Sequence, residues 1–572
     1  MKGFCEKKFT SMFIAGTVTT SVMYLMLLSD SIIAGYFLGE KGVAAINAIT
    51  PLTGFVTFFG DLVSTGVGIV FTRAVGEMNK RRADEIYGQG LIVSISIGLI
   101  SALAILLFKN AYFEASGISG EILDNALKYY NFLPLNAFLM IVVFYMEQMV
   151  YSDGDEFCNN LCYAFQIGGN VIISIILCKF YGMTGIILGS VIGNGLGILV
   201  CCWHFFRKGN TLHFVWHLSF KDFLLTSRYS IAQSSTFLCW ALMDYVMIGF
   251  ISGRYGDTGL VTLSVVVNLI EFGVVMDGVG LAVQPLLGTY LGENNNVMIK
   301  RLMNAAKAAA AVEGGIANIL ILIFAKQFCG LFGIRGGNAL EPTILAVRIV
   351  SLGLIFCSMI SLMTSYYMLV DRVGLAVGIT FLKDGILYSV LPVLGSLVLG
   401  KNGMWAAFAV APVVALIIAM IFIRRHYGKA QFPDLLIPKH TDITVLENIL
   451  SLDKCSELSE QVQKIMLEHE YSKKQSMKAA LFVEEIGRTI IEKNKDSKHA
   501  VLVEISLMFE KTSVLLVERD AGKVFDITDP DIKIDGLSSF ILSGLMESHK
   551  EKAYQTTTGY NRNMIRFYKN ED

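Results

Sequence analysis

The chain has 572 residues, 54% of them apolar and only 17% charged, with a formal net charge of −1. Soluble globular proteins are closer to a quarter charged, so the composition points to a membrane protein, and a near-neutral balance offers nothing to a nucleic-acid backbone. The charge is divided unevenly, with 51 of the 95 Lys, Arg, Asp and Glu in residues 1–425 and the other 44 in residues 426–572.

The first part is therefore read as an apolar body, and the second as a polar tail long enough to hold its own core. A bilayer core takes about 20 apolar residues per helix. Runs of that kind lie near 9–37, 43–75, 84–107, 125–152, 160–180, 184–206, 223–252, 258–291, 297–324, 340–370, 374–399 and 403–425, which predicts twelve transmembrane helices. The N-terminal Lys2, Lys7 and Lys8 precede the first run without a small-residue cleavage site, so that run reads as a retained helix. Sixteen loop Lys and Arg on one side against seven on the other place both ends, and the tail, in the cytoplasm of a multi-pass plasma-membrane protein. Pro51, Pro285, Pro392 and Pro412 lie inside apolar runs and predict bends, while ten scattered cysteines without a CxxC pair read as packing residues.

The body repeats itself. DSIIAGYFLG at 30–39 aligns with DYVMIGFISG at 244–253, and VGEMN at 75–79 with LGENN at 291–295. Two six-helix lobes follow, at 1–206 and 207–430, with a site expected between them near the midplane. The stretches SDSIIAGYFLGEKGVAAINAITPL (29–52), TRAVGEMNKRRADEIYGQGL (72–91), GGNVIISIILCKFYGMTGIILGSVIGN (168–194) and GLAVQPLLGTYLGENN (280–295) resemble the multidrug and toxic compound extrusion (MATE) family of antiporters. The resemblance implies a secondary transporter, not an enzyme, that exports amphipathic organic-cation or drug-like solutes in exchange for protons or sodium.

Ionisable residues inside the spans are the candidate site, because a charge at a helix centre costs roughly 2.5–3.5 kcal/mol and needs a partner, a cavity or a proton. The resemblance puts the ion-coupling carboxylate on Asp30 and an amide on Asn170. Ser174 stands where the family often has Asp, and with Asn170 and Asn194 it offers neutral oxygens to a cation. Asp244 is the repeat-related counterpart of Asp30. Glu271 and Asp277, six apart and so about 120° apart around a helix, cannot share one face. Glu271 lies deeper in its run and is expected at the cavity, and Tyr145 and Trp240 are expected to stack on a flat cation.

In the tail, 456–470 and 473–493 read as amphipathic helices, 499–509 and 511–519 as a hairpin turning at Glu510-Lys511, 537–547 as a helix, and 551–558 and 562–569 as strands. The predicted unit, 431–572, is an α/β sandwich. KAALFVEEIGRTIIE (478–492), DAGKVFD (520–526) and GYNRNMIRF (559–567) resemble the ATP-binding domains of anti-sigma-factor kinases and histidine kinases, which implies nucleotide contacts by Glu485, Asp520 and Gly522. Thr489 replaces the magnesium-binding Asn, so ATP with magnesium stays open for the tail beside a role in protein contact.

The expected molecule is thus an all-α polytopic membrane protein with a small cytoplasmic α/β domain. Its partners are a small-molecule substrate, the bilayer and a cytoplasmic protein that binds the tail. A flippase for a lipid-linked precursor would want a basic cavity, and a membrane-tethered kinase or sensor would want the missing Asn. Both stand as alternatives.

Overall fold

The computed structural model describes residues 3–38, 42, 45–46, 49–77, 79–116, 120–207, 210–332, 334, 339–436, 442–496, 501–525, 544, 552–557 and 559–569, and the side chains of most of these. The first lobe contains α1 (Phe4–Phe37), α2 (Thr50–Gly76), α3 (Lys80–Leu107), the short α4 (Lys109–Ser116) and α5 (Gly120–Tyr130), α6 (Leu133–Ser152), α7 (Glu156–Tyr181) and α8 (Met183–His204). The second contains α9 (Phe220–Glu271), a 3-10 turn (Phe272–Asp277), α10 (Gly278–Gly292), α11 (Asn296–Leu331), α12 (Leu340–Ser351), α13 (Leu354–Leu369), α14 (Val373–Thr380), a π turn (Phe381–Leu387) and α15 (Tyr388–Tyr427).

Among the described residues eight helices are long and apolar enough to cross a membrane, or nine if α12 and α13, bent by 41°, form one span. The sequence led to twelve. One reason is visible in α9, which stays helical from Phe220 to Glu271 through the gap expected at 253–257. Those five residues contain no proline, so nothing there removes a ladder hydrogen bond. At 1.5 Å per residue this helix is about 78 Å long, and a single element covers one predicted span and the start of the next. The break expected after 399 is present, by contrast, as a kink at Gly400, whose φ of +69° suits glycine. Pro285, Pro392 and Pro412 sit inside helices, whereas Pro51 occupies the first turn of α2, where its missing N–H costs nothing.

The sequence repeat is also a structural one. Asn79 and Asn295, equivalent in VGEMN and LGENN, each cap the following helix: the Asn79 side chain accepts from Arg82 N at 3.0 Å and that of Asn295 from Met298 N at 3.1 Å. The paired glycines touch. A Cβ on Gly292 would lie 2.4 Å from the carbonyl carbon of Gly76, and one on Gly76 would lie 2.8 Å from Gly288 O. The ends of α2 and α10 therefore close on each other backbone to backbone, where the pseudo-twofold relation brings the two lobes together.

Glycine does the same work between α7 and α8. Cβ atoms on Gly185, Gly189 and Gly193 would come within 2.0–2.4 Å of Leu177, Ser174 and Gln166 on α7, so one i, i+4 stripe lets the two backbones approach. Gly195, on the other face of α8, has open space.

The C-terminal domain is a five-stranded antiparallel sheet in the order β1-β2-β3-β5-β4, built from β1 (Asp442–Ile449), β2 (Leu502–Phe509), β3 (Ser513–Asp520), β4 (Lys552–Thr557) and β5 (Tyr560–Tyr568). Helices α16 (Leu452–Glu468) and α17 (Lys473–Lys493) pack on one face through Leu458, Val462, Phe482, Ile486, Ile505, Leu516 and Ile565. The sequence reading anticipated both helices and four of the strands. It missed β1, where Leu446 next to Val445 breaks a two-residue alternation, and its helix at 537–547 lies outside the described residues apart from residue 544.

The glycine stripe makes a graded prediction. Gly189→Ala should destabilise the protein by roughly 1–3 kcal/mol through overpacking. Gly195→Ala, in the same helix, should be neutral or stabilising by up to about 1 kcal/mol. Thermal unfolding of both variants in detergent compares them directly.

Candidate functional site

Asp30, on α1, reaches across to three other helices. Its Oδ2 accepts from Tyr129 Oη at 2.7 Å and from Ser190 Oγ at 3.0 Å. Ser190 in turn accepts from Asn170 Nδ2 at 2.9 Å, and Ser174 Oγ donates to Asn170 Oδ1 at 3.4 Å and to Ile186 O at 3.0 Å. One helical turn along, Gln166 Nε2 donates to Asn194 Oδ1 and Asn194 Nδ2 to Asn136 Oδ1, each at 2.9 Å. Asn136, Gln166, Asn170, Ser174, Ser190 and Asn194 are all buried. The structure thus brings Asp30, Asn170, Ser174 and Asn194 into one polar region of the first lobe, and adds Tyr129, Asn136, Gln166 and Ser190. No lysine or arginine among the described residues pairs with Asp30, which is held only by hydroxyl and amide groups. Single hydroxyl and amide side chains on apolar helices are too common to mark the added members from sequence.

Between the lobes lies a cavity of about 1030 Å³, open water at its mouth included. Its ionisable lining is Asp61, Glu147, Asp277, Lys383 and Asp384, and its aromatic walls include Phe144, Tyr163, Phe237, Trp240 and Tyr388. Asp61 accepts from Thr65 at 2.9 Å and Ser234 at 3.0 Å, Glu147 from Cys162 Sγ at 3.4 Å, and Asp277 from Ser361 at 2.6 Å. Lys383 Nζ is 3.1 Å from Asp384 Oδ1, which also faces Trp240 Nε1 at 3.4 Å. Both residues of that pair belong to the π turn, a wide turn of the kind that recurs at functional positions in helices. A second, smaller cavity shares Asp277, Lys383 and Asp384.

Asp277, in the 3-10 turn, lines both cavities, while Glu271, at the end of α9, lines neither. The shift from α-helix to 3-10 turn at Phe272 changes the angular relation that a regular helix would impose. Trp240 lines the larger cavity. Tyr145 does not, since it is buried with its hydroxyl donating to Tyr87 O at 2.5 Å and its ring stacked on Tyr87. The side chain of Asp244 lies outside those described. Asp61, Glu147, Lys383 and Asp384 lie in apolar runs of the sequence, but nothing in a linear pattern says that two helices and a π turn bring them together.

In the C-terminal domain Asp520 Oδ1 accepts from Gly522 N at 2.6 Å and Asn561 Nδ2 at 3.1 Å, while its buried Oδ2 has no partner among the described residues. Burial pushes the Asp520 carboxyl up, against the pull of Gly522 and Asn561. Burial and the neighbouring Asp520 push that of Glu518 well up. Glu485 is buried in α17, and the Thr489 hydroxyl is spent on Glu485 O at 2.8 Å. That hydroxyl donates within its own helix and would be a poorer magnesium ligand than the amide oxygen it replaces.

Several known proteins resemble this chain. A family model described as MatE matches residues 17–176. Multidrug export protein MepA of Staphylococcus haemolyticus is 23% identical over 409 residues, covering 68% of this chain and 87% of that protein. MepA of Staphylococcus aureus is 22% identical over 306 residues, covering 52% of this chain and 68% of that one. Among solved structures, the outward-facing conformation of a multidrug resistance MATE family transporter of the MOP superfamily superposes with a TM-score of 0.69 at 18% identity, covering 74% of this chain and 96% of that chain. A MOP superfamily transporter from Pyrococcus furiosus, noted for the reverse polarity of its binding pocket, gives 0.67 at 18% identity, with the same coverage of each chain.

The molecule is therefore a polytopic membrane protein with a transporter fold. More narrowly, that fold is the one seen in MATE transporters, carried here with an additional C-terminal domain.

Tyr129 donates to Asp30 in a setting that offers few replacements. Tyr129→Phe should cost about 1–3 kcal/mol by leaving that oxygen short of a donor. A lowered unfolding temperature in detergent would register it, and an unchanged one would show that the carboxyl finds another donor.

Proposed function

We propose that the protein is a cation-coupled antiporter that expels amphipathic organic cations across the plasma membrane, with the C-terminal domain on the cytoplasmic side. The observation that carries this reading is the interlobe cavity, where among the described residues four carboxylates face a single ammonium between aromatic walls. Such a lining attracts positive charge, and aromatic faces add cation–π attraction worth about 0.5–2 kcal/mol to a flat or quaternary cation. The printed names of the similar proteins, multidrug export and multidrug resistance, agree with it.

Coupling is assigned to Asp30 and the hydroxyl and amide groups around it. A carboxyl with no basic partner can be neutralised by a proton or by a sodium ion held with neighbouring oxygens, and each occupancy favours a different packing of α1 against α5, α7 and α8. The ion gradient supplies about 2.3 kcal/mol per charge per 100 mV. The one lysine in the cavity is tied to Asp384, which speaks against a flippase for phosphate-bearing lipids. The occupied Thr489 hydroxyl speaks against a kinase. Regulation of transport is the role we assign to the C-terminal domain.

The test is efflux of a cationic dye from everted membrane vesicles under an imposed proton or sodium gradient. One gradient should drive efflux. Asp30→Asn should lower the driven rate at least tenfold while Asp277→Asn weakens the apparent dye affinity. Efflux that ignores both gradients, or an Asp30→Asn protein as fast as its parent, would refute the assignment.

A further inference from the structure

Along β2, β3 and β5 the face of the C-terminal sheet away from its helices is largely buried. It lies against the ends of α2 and α10, and the contact is ionic and fully buried. Arg519, on β3, pairs with Glu293 just beyond α10 and donates to Glu504 on β2 at 2.7 Å. Its guanidinium also sits 4.9 Å from the ring centre of Tyr290. Arg562, on β5, pairs with Glu293 at 2.6 Å and also donates to the backbone carbonyls of Val75 and Gly76 at 3.1 Å each. Both arginines, Glu293 and Glu504 have side chains with no exposed surface.

The placement of Arg562 decides what the contact does. Val75 and Gly76 end α2 in the first lobe, where unpaired carbonyls and the helix dipole favour a cation. Glu293 ends α10 in the second lobe. One guanidinium therefore holds both lobes at the point where Gly76 and Gly292 meet. Further ties surround it: Asn295 Nδ2 to Ser506 Oγ at 3.4 Å, Tyr290 Oη to Glu504 at 3.3 Å, and Phe4 against Tyr560 at 5.3 Å. The repeat-related Glu77 does nothing comparable among the described residues, since it is half exposed and pairs with Arg73 of the preceding helical turn. The sheet thus binds the two lobes by different means, a carboxylate on one and carbonyls on the other.

We infer that the C-terminal domain is an interlobe clamp: Arg562 and Arg519 hold the tail-side ends of α2 and α10 together, and the cavity opens on that side only when the sheet releases at least one lobe. The inference rests on the antiport reading for its consequence and on the geometry alone for the clamp itself. Parting the lobes with the sheet held on the second would strip Arg562 of its two carbonyl acceptors, and with the sheet held on the first would strand Glu293 without either guanidinium in a dry interface, where an uncompensated buried charge is costly. Opening and release are therefore a single event.

Cross-links on both sides of the clamp test this. Asn295→Cys with Ser506→Cys ties the sheet to the second lobe, and Phe4→Cys with Tyr560→Cys ties it to the first, each at a pair already in contact. In everted vesicles the reduced variants should expel dye like their parent, and either bond alone should leave efflux in place because the sheet can still release the other lobe. With both bonds formed by copper phenanthroline, efflux should fall below a tenth and recover with dithiothreitol. Undiminished efflux with both bonds formed would overturn the clamp. Parent vesicles that expel no dye would reject the antiport reading instead. In that case, or if a reduced variant is inactive, hydrogen exchange on the parent decides the matter without any transport. Segments 560–568 and 288–295 should exchange with one common opening rate, and independent rates would overturn the proposal.

Discussion

Desolvation of charge governs this molecule. Taking an ion out of water costs several kcal/mol even after the surroundings relax, so every charged group inside the fold must be answered by something. The answers differ by region. Around Asp30 they are neutral hydroxyls and amides. In the cavity they are hydroxyls, a thiol and one lysine. At the sheet they are full counter-charges and helix-end carbonyls. Groups answered by neutral partners can change their occupancy at little structural cost, whereas groups answered by opposite charge hold a shape. The division between moving and holding parts follows from that difference.

Much of the fold can be read in the sequence because its signals are local. Caps at Asn79 and Asn295, the glycine stripe of α8 and the tail's helix–strand pattern all depend on residues a few positions apart. The repeat was legible too, but its meaning was not. That Gly76 and Gly292 face each other is a fact of three dimensions, and two short motifs 216 residues apart give no sign of contact. Where local geometry leaves the regular helix, sequence reasoning fails for a definable reason. The 3-10 turn at Phe272–Asp277 breaks the 100° step, and the cavity then receives Asp277 and not Glu271.

The functional site was legible as a list of costly residues but not as an arrangement. Asp30, Asn170 and Ser174 are singled out by resemblance and Asn194 by the neutral oxygen it offers, and their neighbours Tyr129 and Ser190 could not be, since neither is unusual on an apolar helix. Lys383 and Asp384 stood out as charges in an apolar run, yet only the π turn and its place beside Trp240 give them a setting. Tyr145 shows the opposite error, an aromatic ring that looked available and is fully engaged in the core.

Side chains alternate across a strand, so Arg519 and Arg562 face the lobes while their immediate neighbours Asp520 and Asn561 face the opposite way, joined to each other by a hydrogen bond. Only a peptide link separates the two sides of the sheet at these positions. Any molecule that tugged on Asp520 or Asn561 would shift the neighbouring guanidinium by nearly the same amount, with no lever, hinge or relay in between, so the reverse of the sheet is wired to the lobes at the shortest range a polypeptide allows.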